Sequence, residues 1–560
     1  MPNTCLNHPY PKLLSALTLA LLSSATLAVT VQPDAGQISQ ELNQQPVLTQ
    51  PGTAKSIQAQ DDATAQTSAN SEVKINIKAI TISGSTRFGA AYLAPLVADL
   101  IGKEHNFDEI NTRVARITSF YRERGYAVAR AYLPVQDLKD GVIAIKVLEG
   151  FIGGQTVINQ SRLSDARANT MLGGLHTGLP LQAAPIDRAV LLLSDTPGVG
   201  GARASLQPGA SVGTSDLLIV LDPAKAYTGN IEFDNYGSYY TGEYRMGAAL
   251  VVNSPLHIGD QLTFQALSSN KNLTYSRLTY QLPVGGNGFK VGGTYSDTHY
   301  KIMFNGVELR GSASSTSIYG IYPFIRSQVN NVYGTLTLEQ KDLSDVQVAT
   351  IDKQVRLTSF GLAGNHQDGW FGGGITTFEG ALASGNLSMD AVSLAQDSGA
   401  NSANSNGSFS KVNFNLSRMQ RITAKNTLFL ALSGQNASKN LNSSEKFYLG
   451  GPNAVRAYPQ GEAGGDKGWM VNLEVRHQLT AQLQAITFYD VGLVKINHDK
   501  FAVGDNKRHI AGAGVGLNAQ YGWLKIKTAV AWRSTGGQPT SEPATLSNDP
   551  RFWVQMSGQF

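Results

Sequence analysis

Cysteine is almost missing from this 560-residue chain. Its one thiol, Cys5, lies ahead of the first apolar run, Leu13–Ala28. That run follows Lys12 and ends on the small-x-small triplet Thr26-Leu27-Ala28. Residues 1–28 therefore read as a secretory signal peptide whose removal takes the thiol with it. Such a chain is exported without a disulfide framework or a Cys-ligated metal. Charge is scarce as well: Asp, Glu, Lys and Arg make up 15% of the residues, the formal net charge is +4, and no polybasic cluster occurs. Nucleic acid is not an expected partner. No second long apolar run follows the first, so no membrane-spanning helix is expected. The nine His are scattered without an HExxH pair. No G-x-S-x-G follows a strand ahead of a helix, and Gly512-x-Gly514-x-Gly516 lacks the βαβ setting of a nucleotide loop. The chain is expected to be no enzyme and to hold neither metal nor cofactor.

Glycine, by contrast, is plentiful at 58 residues. Residues 29–72 have the Gln/Ala/Ser/Thr composition of a linker. Inside it, Asp34 is a candidate N-cap for a short polar helix with Ile38 and Leu42 at i, i+4 and Gly36 in its first turn, stopped before Pro46. Taken alone, that segment reads sooner as one that frays than as a formed helix. From residue 73 to 150 the pattern is compact. Val73–Ile82 alternates as a strand, Tyr92–Leu100 and Phe107–Tyr121 have helical spacing, and Gly125 caps the second helix. Ala127–Leu133 and Val142–Leu148 are strands joined through Asp140-Gly141, a turn signal. A looser copy of the same β-α-α-β-β order fills residues 151–223, with Asp187, Arg188 and Asp195 expected on packing or solvated faces.

After Tyr227 the helical period vanishes. Residues 227–560 form a series of roughly ten-residue alternating segments divided by Gly, Asn, Asp and Ser turns. Val412, Phe414 and Leu416 oppose Lys411, Asn413 and Asn415; Ile526, Thr528, Val530 and Trp532 oppose Lys525, Lys527 and Arg533. About sixteen such segments are expected, an even number that suits an antiparallel transmembrane barrel with an apolar exterior and polar lumen. Tyr239, Tyr240, Tyr319, Tyr322, Trp370, Phe371, Tyr521 and Trp523 are expected in its interfacial girdles, and the last segment, Phe552–Phe560, reads as a closing strand. On the segment Gln484–Gly492, Phe488, Asp490 and Gly492 share one face. A carboxylate cannot face lipid there, so Asp490 is expected in the lumen with a cation beside it. Arg456, on a long Gly-rich connection between Leu449 and Gly468, is the candidate partner.

These motifs resemble one family, the outer-membrane transporters of two-partner secretion, of the haemolysin-secretion and filamentous-haemagglutinin-secretion type. The resemblance rests on Gly125-Tyr126, Leu133-Pro134, Gly141 and Glu149-Gly150 in the first repeat, on Leu206-x-Pro208-Gly209 in the second, and on Asp234-Asn235-Tyr236-Gly237-Ser238 with Arg245 at the barrel start. Its sharpest match is Val455-Arg456-Ala457-Tyr458 with Phe488-Tyr489-Asp490-Val491-Gly492, where Ala457 stands in place of the usual Gly. The resemblance implies an all-β barrel of about sixteen strands behind two POTRA (polypeptide-transport-associated) domains. It implies a pore plugged by the helix near 34–45, and a loop folded into the lumen with Arg456 bound to Asp490. It further implies capture of a cognate exoprotein (adhesin, cytolysin or contact-dependent toxin) in the periplasm through its N-terminal secretion domain, and secretion through the lumen. Outer-membrane lipid and lipopolysaccharide are the other expected partners, and the chain is expected to work as a monomer. The alternative within this fold is a factor that assembles other barrels. A passive porin would not need the repeats.

Overall fold

The computed structural model describes residues 33–43, 58–59 and 74–560, save 138–139, 176, 179, 305, 347–348, 400, 544 and 546. The expected signal peptide and most of the linker lie outside the described residues. Residues 227–560 close into a barrel of sixteen antiparallel strands, from Tyr227–Asp234 to Arg551–Gln559. Alternation decides its two faces. Leu250, Phe264, Leu336, Phe360, Leu416 and Leu517 are exposed outward, whereas Thr298, Lys341, Lys411, Asn472 and Asp490 are buried inward. Strand length departs from the ten-residue expectation. Five consecutive strands between Phe289 and Met389 run 16 to 20 residues, far past what a tilted bilayer crossing requires. The girdle expectation also needs correcting for two residues: Tyr240 and Tyr319 are buried on the inside.

The barrel closes at a short seam. Asn230–Asp234 pair with Gln555–Gln559, and Gly229 and Phe560 exchange N–H···O bonds at 3.2 and 3.0 Å at one end. Asn235 extends it with its side chain, accepting from the Val554 N–H at 2.8 Å and donating to the Phe552 carbonyl at 2.8 Å. Beside it Asp234 takes the Arg245 guanidinium at 2.8 and 3.2 Å.

Two small α/β units precede the barrel. In the first, helix Phe107–Glu123 starts on Asn106, whose side chain accepts from the Glu109 N–H at 2.8 Å. Its Ile110, Val114, Ile117 and Tyr121 face a sheet of Ala79–Ser83, Val142–Leu148 and Arg130–Tyr132. The helix expected over Tyr92–Leu100 is instead one turn, Ala90–Leu93, followed by the 3₁₀ turns Ala94–Leu96 and Ala98–Leu100, since Pro95 supplies no N–H for a continuous α-helix. The second unit packs helices Asp165–Leu172 and Ala183–Ser194 on strands Phe151–Asn159, Thr214–Pro223 and Val199–Pro208. The linker returns once: Gln58–Ala59 pairs in parallel with Ser205 and Leu206 at that sheet's edge.

Candidate functional site

Chain connectivity places two elements inside the barrel. The first is helix Ala35–Asn43. Asp34 opens it by accepting the Gln37 N–H at 2.9 Å. Ile38 is buried and Leu42 packs beside it, against Tyr240, Leu273, Tyr300, Ile302, Leu309 and Leu343 of the wall. The Ala35 N–H donates to Asp345 at 2.9 Å, and the Tyr275 hydroxyl reaches Asn43 at 3.0 Å. Gly36 is required by contact: a Cβ there would lie 2.3 Å from Ser443 Oγ. Glu41 is half-buried on the helix, and its partial removal from water pushes its carboxyl up to about 7 against the opposing hydrogen bond from Gln37.

The second element is the connection between strands Asn426–Ala437 and Lys467–Gln478, which folds back into the lumen. Its tip holds Val455, Arg456 and Tyr458, all buried. Arg456 gives Nε to Asp490 Oδ2 at 2.8 Å, Nη2 to Asp490 Oδ1 at 2.7 Å and Nη1 to Glu474 at 2.7 Å, and its guanidinium lies 3.5 Å over the Phe488 ring. Bidentate geometry of this kind is specific to a guanidinium. Asp490 is fully buried and also accepts from Asn472 at 2.8 Å; Asn472 in turn donates to the Ala454 carbonyl. Tyr458 donates to the Thr535 and Gly537 carbonyls, and Trp553 of the last strand donates Nε1 to the Arg456 carbonyl at 2.7 Å. The tip thus touches the wall from Lys467–Gln478 round to the closing strand.

Small residues make room for it. A Cβ at Gly492 would stand 2.7 Å from Leu449, and one at Gly512 would stand 2.3 Å from the Cβ of Ala457. Ala457 therefore fits because its methyl faces a glycine. Gly514 similarly leaves space for Phe488. Sequence reasoning set the Gly512–Gly516 series aside for lack of a nucleotide fold; a period-two glycine run on a lumen-facing strand is the signal that would have marked it as a close-approach track. Glu474, Asn472 and Trp553 went unforeseen. Helix and loop border a polar cavity of about 610 Å³ in the bore, lined also by Glu232, Arg245 and Gln555.

Of the first unit's motif residues, Gly125, Tyr126 and Gly150 meet the second unit at the junction. Gly125 (φ +86°) and Gly150 (φ +75°) take left-handed backbone. The Gly125 carbonyl accepts the Ala183 N–H at 2.9 Å, Gly150 the Leu181 N–H at 2.8 Å, and the Tyr126 hydroxyl accepts from Gln182 at 2.7 Å. Glu149, buried, accepts the Thr86 and Arg87 N–H groups and the Tyr121 hydroxyl at 2.8 to 2.9 Å. Burial raises its carboxyl, but the donors, Thr86 foremost, outweigh it and hold the group below the usual range. Leu133 packs on the core just before Pro134, and the Gly141 carbonyl (φ +72°) receives the Lys78 N–H at 2.7 Å.

The second unit is joined to the barrel by residues expected to be merely packed or solvated. Asp195 binds Arg326 in a bidentate pair at 2.6 and 2.9 Å, and Arg188 donates to the Pro323 carbonyl at 2.7 Å.

Comparison with known proteins agrees with this architecture. The family described as haemolysin secretion/activation protein ShlB/FhaC/HecB matches residues 213–519, and a POTRA domain of the ShlB type matches residues 75–150. The chain is similar to the heme/hemopexin transporter protein HuxB of Haemophilus influenzae (strain 86-028NP), 27% identical with 98% of this chain and 99% of the relative covered. It is also similar to the outer membrane transporter CdiB of Dickeya dadantii (strain 3937), 24% identical over 84% of each chain. The solved structure of CdiB from Escherichia coli superposes with a TM-score of 0.71 at 20% identity, covering 94% of this chain and 96% of that one.

Proposed function

The chain belongs to the haemolysin secretion/activation protein family, and from that membership we propose how its parts divide the work of carrying an exoprotein across the outer membrane. The family and its architecture make it a non-enzymatic outer-membrane transporter of two-partner secretion, with its N-terminal domains in the periplasm. In our reading residues 1–28 are the signal peptide, helix Ala35–Asn43 with its tether is the plug, residues 73–150 and 151–223 are the two POTRA domains, and residues 227–560 are the barrel. The POTRA sheets take up an extended segment of the exoprotein's N-terminal secretion domain by strand addition. The chain then passes through the polar lumen, and folding outside supplies the free energy. One such barrel acts as a monomer among lipid and lipopolysaccharide.

One observation carries this reading. The lumen is filled not by its wall but by two elements tied to it through side-chain contacts, the helix and the Arg456 loop. A barrel that only assembled other barrels has no need of a removable occupant in its bore. The similarity to HuxB over nearly the full length of both chains favours, among the exoprotein classes, one that binds heme or hemopexin. Deleting residues 34–45 should raise single-channel conductance in planar bilayers while leaving a heat-modifiable barrel. Unchanged conductance would remove the plug role.

A further inference from the structure

The lumenal loop does more than end in Arg456. On its way in from the wall it makes the turn Ser443–Glu445, and this turn is the part of the loop that holds the start of the plug helix. Ser443 Oγ donates to Asp34, lying 2.6 and 2.8 Å from its two carboxylate oxygens. The next residue but two, Lys446, offers its carbonyl to Gln40 at 3.3 Å. Gly36 approaches the turn too closely for any side chain, and Gly461, on the returning limb of the loop, does the same against Gln37, where a Cβ would lie 2.1 Å from Nε2. The helix is therefore gripped between both limbs.

Glu445 ties the turn to the wall. It is fully buried. Lys341, from strand Asn330–Val346, reaches Oε1 at 2.8 Å, and Lys411, from strand Gly407–Arg421, reaches Oε2 at 2.7 Å. Lys411 and Gln435 also donate to the Glu445 carbonyl, at 3.1 and 2.9 Å. Burial works against its charge, but Lys341 and then Lys411 outweigh burial and keep the carboxyl at about 2. The two pairs resist displacement of the turn, since moving it leaves the buried Lys411 ammonium without its carboxylate and Lys341 with Glu339 alone, at 3.7 Å.

We propose that Glu445 is the positioning residue of a latch: by tying the turn to two wall strands it sets Ser443 against Asp34, and release of this turn is what lets the plug leave. The loop is thereby a single device with two functions, docking its tip through Arg456 and closing the bore through Ser443. An incoming polypeptide that drew the loop off the wall would free the helix in the same movement.

This inference rests on the plug reading, so three variants of the full chain are compared in planar bilayers: the 34–45 deletion, Glu445→Gln and Ser443→Ala. Glu445→Gln keeps the side-chain shape and removes the charge. Its open fraction should rise about tenfold, the shift expected on losing a charge-assisted contact. Ser443→Ala should rise by a similar factor, and the double variant no further than the larger single one, because both act on one grip. Restoring the carboxylate nearer the backbone, with Glu445→Asp, should rescue only partly. If the deletion opens the pore but Ser443→Ala and Glu445→Gln chains that insert normally stay closed, the latch is overturned while the plug stands. If the deletion itself leaves conductance unchanged, plug and latch fall together. Should Glu445→Gln not insert, Glu445→Asp takes its place beside Ser443→Ala, and an open fraction unchanged in both overturns the latch. An additive double variant would also overturn the single-latch path.

Discussion

Truncating Arg456 to alanine tests the loop anchor most directly. The substitution removes two charge-assisted bonds to Asp490, at 2.8 and 2.7 Å, one to Glu474 at 2.7 Å, and the stacking on Phe488 at 3.5 Å. The two carboxylates do not suffer equally. Glu474 keeps Arg476, 2.6 Å away. Asp490, fully buried, is left with Asn472 at 2.8 Å and the residue 456 N–H at 3.2 Å. Removing one partner of a buried pair costs about 3–5 kcal/mol, because the other charge stays uncompensated. At tenfold per 1.4 kcal/mol the docking equilibrium constant of the loop should fall by a factor on the order of 100 or more. Asp490→Ala should cost less, about 1.5–3 kcal/mol, since the guanidinium still has Glu474. The double variant has no orphaned carboxylate, so its loss should fall short of the sum by about 2 kcal/mol. Arg456→Lys should restore little, because an ammonium lacks the planar fork that engages both Asp490 oxygens at once. The assays are protease protection of residues 449–462, secretion of the cognate exoprotein, and heat-modifiability as the control for insertion. Losses that add within about 0.5 kcal/mol would refute the reasoning, as would normal secretion from an inserted Arg456→Ala barrel.

Glu41 gives the plug a pH dependence whose sign can be worked out. Its carboxyl titrates near 7 when docked and near its ordinary 4.5 when the helix is free, so the docked state binds the proton more tightly. Docking should then weaken as pH rises from about 4.5 to about 7 and level off above, by on the order of 3 kcal/mol at most. Single-channel open fraction should climb over that range and flatten in Glu41→Gln; an equally steep profile in the variant would discard the assignment. At the other end of the chain's periplasmic part, Asp195→Ala should loosen the second unit from the barrel by about 2–4 kcal/mol, because the Arg326 side chain, 1% exposed, loses its carboxylate. Hydrogen exchange across residues 162–198 should quicken while barrel strands stay protected, and unchanged exchange there would mean that the joint is held by other contacts.

Period and composition, read along the chain, were enough for everything that depends on neighbours in sequence. Alternation placed Phe488, Asp490 and Gly492 on one buried face because a strand's side chains have period two whatever lies across from them. The helices Phe107–Glu123 and Ala183–Ser194 and the count of sixteen barrel strands were legible on the same ground. Asp34 was readable as a helix start because its side chain caps an N–H only three residues on. What the tertiary structure alone decided are the contacts set by register and closure. Glu474 meets Arg456, and Asn472 meets Asp490, because Asn472 pairs with Asp490 across the ladder, and no local pattern encodes that alignment. Trp553 reaches the Arg456 carbonyl from 97 positions away only because the barrel closes. Tyr240 and Tyr319 turned inward because the bore already held apolar and cationic surface for them, where a rule about segment ends put them outward. Asp195 and Arg326, 131 residues apart, became partners when two separately folded units docked. Burial and pairing belong to the assembled surface, so a single strand or helix cannot announce them.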